Sequence, residues 1–169
     1  YERASAANTR SGELQARLSD LLALVGDVAA PCNDALESGD AARAAPKLDA
    51  AAESWRRALQ RIRDDAPQLL AAPDLARIEP ALVTAESAFR RMYADARQML
   101  SYVRTGQQDN AMSQMAALTR QAQTLTVAIA RVESLARTIQ TSEHRAQADH
   151  AQQLRLAMFS IAACAALIS

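Results

Sequence analysis

Leu14, Leu18, Leu21, Val25 and Val28 recur at alternating spacings of four and three residues. That period belongs to a helix burying one stripe, and a strand, whose side chains alternate every second residue, cannot use it. Three further stripes lie downstream. One contains Leu48, Ala52, Trp55, Leu59, Ile62, Ala66 and Leu69; the next runs Leu75, Ile78, Leu82, Ala85, Phe89, Met92, Ala96, Met99 and Val103; the last holds Met115, Leu118, Ala122, Leu125, Ile129, Val132, Ala136 and Ile139. Four stripes joined by short turns predict an all-α chain, an antiparallel four-helix bundle in up-down-up-down order.

The turns are legible from their breakers. Gly39 followed by Asp40 pairs a helix-ending glycine with a capping carboxylate, and Thr105-Gly106 repeats the stop before polar Gln107 to Asn110. Between them Pro67, Pro73 and Pro80 predict a break or kink, because proline disfavours helix in the residue before it. The second helix is then expected over Pro46 to Asp65, roughly 30 Å at 1.5 Å per residue, shorter than its neighbours. Only four glycines and five prolines occur in 169 residues, so breakers are scarce enough for each to carry meaning.

The two ends differ from the middle. Residues 1–13 are polar and poor in core, and Thr141 to Gln153 loses its aliphatic positions without gaining a glycine or proline. Both read as solvated helix, a two-helix stem. From Leu156 to Ser169 fourteen uncharged residues run on, ending only where the sequence ends. They are expected to start a C-terminal transmembrane helix, which needs about 20 apolar residues. The expected division is residues 1–153 as a bundle and 154–169 as the beginning of a membrane span.

Lys+Arg and Asp+Glu both number 19, so the chain lacks the positive excess that phosphate backbones require and no nucleic-acid partner is expected. Cys32 and Cys164 stand outside any CxxC or Cys/His cluster, and His144 and His150, six apart, fall on different helix faces. Met92, Met99, Met112 and Met115 read as flexible core filler. No nucleophile elbow, phosphate loop, HExxH or carboxylate pair of catalytic spacing occurs, so no catalytic residue, metal or cofactor is expected.

Two places invite a ligand. Pro31-Cys32-Asn33-Asp34 puts a proline and two backbone-bonding residues late in the first helix. Either Pro31 kinks the helix and Asn33 or Asp34 caps the next segment, or the freed polar groups hold a ligand. Trp55, the only tryptophan, lies beside Arg56 and Arg57. It serves as core, or with Arg56 it lines a pocket for an anion, while the arginines otherwise form a solvated face.

The whole plan resembles the sensor domain of a bacterial transmembrane receptor, of the histidine kinase, diguanylate cyclase or chemoreceptor type. The stretch Ala30-Pro31-Cys32-Asn33-Asp34 with Glu37-Ser38-Gly39-Asp40 is similar to an Ala-Pro-Gly-Asn-Asp motif of such domains, Cys32 replacing the glycine. This resemblance implies a sensory domain in the periplasm, anchored in the inner membrane by its C-terminal helix and dimeric through helices 1 and 4. It would bind a small ligand or a periplasmic partner and displace helix 4 relative to helix 1, with a kinase or cyclase supplied elsewhere in a full-length protein. A membrane-anchored structural bundle without ligand is the alternative.

Overall fold

The computed structural model describes the backbone of residues 2–168 and the side chains of residues 12–142 and of Arg145. It is all-α. Four helices succeed one another, α1 (Glu2–Ser38), α2 (Ala41–Leu69), α3 (Ala72–Arg104) and α4 (Gln108–Ile168), with no strand among the described residues. The chain divides into two compact units, residues Tyr1–Ala136 and Arg137–Ser169.

The predicted stripes supply most of the buried faces of the first unit, although Leu69, Leu75, Met115 and Ala122 are only half-buried. Leu14, Leu18, Leu21, Val25 and Val28 are buried, and so are Leu48, Trp55 and Ile62 of α2, Leu82, Phe89 and Met99 of α3, and Leu118, Leu125 and Val132 of α4. Small and large apolar groups alternate along α3, where Ala85, Ala88 and Ala96 are as deeply buried as Phe89. Burying a Leu, Val or Phe side chain contributes about 1.5 to 3 kcal/mol, so these stripes drive the assembly. Met92 and Met99 join this core, but Met112 is 59% exposed, because Ala111 takes the buried position beside it.

The turns sit where glycine allows them. Gly39 has φ +73° and Gly106 φ +71°, the left-handed region that ends a helix without cost to glycine. The prolines interrupt less than their number predicts. Pro31 lies inside α1, which stays helical to Ser38, so neither Asn33 nor Asp34 starts a new segment. Asp40 caps α2 instead, its carboxylate accepting from the Arg43 N–H at 2.9 Å. Pro73 falls in the first turn of α3, a tolerated position, whereas Pro67 near the end of α2 and Pro80 in α3 are held inside their helices. Helix α2 therefore has 29 residues. That corresponds to about 44 Å rather than the expected 30 Å, although α2 is still shorter than α1 and α3.

The expected membrane span falls in residues 154–169, whose side chains lie outside the described residues, as do those of Cys164, His144 and His150. Among the described residues no helix is long and apolar enough to cross a membrane. The placement of the chain in a bacterial inner membrane, with its bundle in the periplasm, is corrected accordingly.

Candidate functional site

The turn between α1 and α2 builds an open polar groove of about 420 Å³. Asp34, Glu37 and Ser38 reach it from the last turns of α1, Arg43 and Lys47 from the first turns of α2, and Asp40 from the turn itself. Its scaffold is held by local bonds. Ser38 Oγ donates to the Asp34 carbonyl at 2.6 Å and accepts from the Asp40 N–H at 3.2 Å, and the Gly39 N–H reaches the Ala35 carbonyl at 2.9 Å. The charged side chains are held far more loosely. Lys47 Nζ lies 3.5 Å from Asp34 Oδ2, with the two side chains 51% and 64% exposed.

Asp34 is thus in the groove, whereas Asn33 is exposed and does not line it. Trp55 and Arg56 stand elsewhere. Trp55 lies eight residues beyond Lys47, about 12 Å along the same helix, so the two expected places do not form one site. The indole is fully buried and stacked on Phe89, with ring centroids 3.8 Å apart and planes 5° from parallel, and its Nε1 has no hydrogen-bond partner. Arg56 lies 5.0 Å from the Tyr93 ring centroid and 3.5 Å from Glu53. It covers an aromatic face at the surface, while the Trp55 indole lies in the core.

The carboxylates of the seam between α2 and α3 are closely paired, although Arg63 Nε, like Trp55 Nε1, has no hydrogen-bond partner. Tyr93 donates its hydroxyl to Asp49 at 2.7 Å, and Arg97 Nη1 adds bonds to the same carboxylate at 2.9 and 3.0 Å. The Tyr93 bond, then Arg97, holds the Asp49 carboxyl below its ordinary range, and Asp49 in turn pushes Arg97 up. Farther along the seam, Arg63 bonds Glu86 at 2.7 Å and lies 3.6 Å from Glu79, while Arg90 also reaches Glu86. Arg63 chiefly, with Arg90, holds the Glu86 carboxyl low. Every acid here already has its cation, an arrangement that fixes helix register.

Cys32 is buried, its Sγ 4.0 Å from the Ala96 carbonyl, and burial pushes the thiol up to about 11. It is a neutral packing group near pH 7. Among the described residues no three His, Cys, Asp or Glu side chains gather as a metal site. Arg43, Lys47, Glu37 and Ser38 escaped the sequence reading of the site. Their signal was present in the spacing from Asp40, but it needs the pairing of α1 with α2 to become a groove.

No protein-family model, curated protein or solved structure matches the chain.

Proposed function

We propose that this chain is a sensory module of a signal-transduction receptor, binding a small polar ligand in the groove at the α1–α2 turn. The observation that carries this reading is the groove's unspent charge: Glu37, Arg43, Lys47 and Asp34 line one space, and the only ion pair among these four is the loose 3.5 Å contact of Lys47 with Asp34. Both signs are present, so the ligand chemistry that fits is a zwitterion or other dipolar small molecule, its anion toward Arg43 and Lys47 and its cation toward Asp34 and Glu37. Binding would replace the Lys47–Asp34 contact and pull the end of α1 against the start of α2. Helix displacements of about 1 to 2 Å are a known way of passing such a switch onward.

The reading includes an up-down-up-down course for the helices. It is supported by the cross-helix pairs, in which the number on one helix rises as the other falls. Arg17 pairs with Asp65 but Asp34 with Lys47; Asp49 pairs with Arg97 but Arg63 with Glu79; and Gln114 of α4 donates to Asp95 of α3 at 2.9 Å.

A thermal-shift screen of the whole chain against amino-acid zwitterions, inorganic anions and divalent metal ions tests the site. The expected result is stabilisation by a zwitterion that is lost in Asp34→Ala and weakened in Lys47→Ala. Equal shifts in all three proteins, or none in any, would contradict it and leave a structural bundle.

A further inference from the structure

The outer faces of α1 and α2, away from the core, carry opposite charge at heptad spacing. On α1, Glu13, Asp20, Asp27 and Asp34 are seven residues apart and all exposed, and Ala16, Ala23 and Ala30 fill the positions between them. The sole cation of α1 between residues 12 and 38 is Arg17, which is turned to Asp65 of α2. On α2 the corresponding stripe is Arg43, Lys47, Arg57 and Arg61, spaced by Ala50 and Ser54 and bounded at its two ends by Asp40 and Asp64. A formal net charge of zero therefore conceals two adjacent stripes, one acidic and one basic.

The stripes meet at the turn in the loose Lys47–Asp34 pair, but farther along the helices they do not neutralise each other. Asp20 and Arg61 both line a cavity of about 320 Å³ between the helices, yet neither is in an ion pair with another described residue. Asp27 and Arg57 are likewise exposed and free of an ion pair among the described residues. Alanines between the charges leave room for another helix to come close.

We propose that this face binds a second copy of the chain, as a parallel dimer whose twofold axis runs along the helices. The argument is charge complementarity. A twofold axis parallel to the helices sets α1 of one copy over α2 of the other at the same height, so Asp20 and Asp27 meet Arg57 and Arg61 of the partner subunit, and the reverse pairing occurs on the other side. A twofold axis across the helices would instead set α1 on α1 and α2 on α2, like charge against like, which disfavours that arrangement. The contact uses α1 and α2, where the sequence resemblance implied α1 and α4. It rests on the antiparallel course of α1 and α2 proposed above; Asp34, Arg43 and Lys47 of the stripes also line the turn groove, but the four residues that carry the pairing lie outside it.

Exposed ion pairs are individually weak, so the dimer is expected to be a micromolar to millimolar one that salt weakens further. Sedimentation of the whole chain at rising concentration, at low and high salt, measures it. Asp20→Arg with Asp27→Arg gives a chain basic at the middle of both stripes; Arg57→Glu with Arg61→Glu gives one acidic there on both. Each variant alone is expected to dimerise at least about tenfold more weakly than wild type. An equimolar mixture of the two is expected to regain association, since each basic stripe then meets an acidic one. Circular dichroism of each variant shows whether it is folded, and the mixture keeps the outcome readable through its own recovery. A wild-type chain that stays monomeric throughout, variants that dimerise like wild type, or a mixture that does not recover would each overturn the proposal. Ligand shifts in the thermal screen are expected to be the same in both variants, so failure of this interface and failure of the turn site are distinguishable.

Discussion

The two sides of α2 teach opposite lessons. Toward α3, Trp55 lies flat on Phe89, Asp49 takes bonds from Tyr93 and Arg97, and Glu86 is shared by Arg63 and Arg90. Toward α1, outside the core, Arg43, Arg57 and Arg61 stand exposed and Lys47 makes only a 3.5 Å contact. One helix thus has a saturated seam and an unsaturated groove. The seam's carboxylates are already paired and hold the fold, even though Trp55 Nε1 and Arg63 Nε are buried there without a hydrogen-bond partner, whereas charges left in water can trade hydration for a partner at small cost.

Mutation should separate the two sides by magnitude. The largest effect is expected at the stack: Trp55→Ala removes a fully buried indole and should destabilise by about 3 to 5 kcal/mol in urea unfolding, as such truncations do. A cost below about 1 kcal/mol would mean that the site collapses without the ring, against the close packing seen there. At the turn, Gly39→Ala forces an L side chain to φ +73° and should cost about 1 to 2 kcal/mol. Asp40→Ala should cost about 0.5 to 2 kcal/mol through the lost cap, with no change in the aromatic near-UV signal of the seam.

Acid should erode the seam. Asp49 and Glu86 have lowered folded pKa values, so their pairs contribute fully above the ordinary carboxylate values of about 4, and the contribution is lost as pH falls through the lowered ones. Unfolding midpoints measured from pH 6 to 2 should therefore fall on the acid side. A variant carrying Tyr93→Phe and Arg97→Met should show a shallower fall, and an unchanged slope would remove Asp49 from this account.

The helical stripes were legible because burial imposes its period on the sequence itself, and Leu14 to Val28 reads the same in one dimension as in three. Gly39-Asp40 was legible for the same local reason. The prolines misled, since Pro31 and Pro80 look like breakers in sequence but are absorbed inside long helices whose packing supplies what the missing N–H loses. The site was only half legible. Asp34 could be picked out beside Pro31, but Arg43 and Lys47 become its neighbours only when α2 folds back, and Trp55 with Arg56 looked like one site although they face the core and the surface. Nothing local in a sequence separates a charge that will be paired, such as Asp49, from one that will be left in a groove, such as Glu37.

The smallest stability effect carries the most weight. Asp34→Ala removes an exposed carboxylate and is expected to change stability by less than about 0.5 kcal/mol, as surface changes do. Calorimetric titration of wild type and Asp34→Ala with the zwitterion that stabilises wild type in the thermal screen tests the central claim directly. Binding to wild type, with loss of at least about tenfold in affinity in the mutant at unchanged unfolding midpoint, is the expected result. Equal affinity in the two proteins, or a mutant that binds less only because it has begun to unfold, would contradict the assignment of the unsaturated groove as the binding side of this chain.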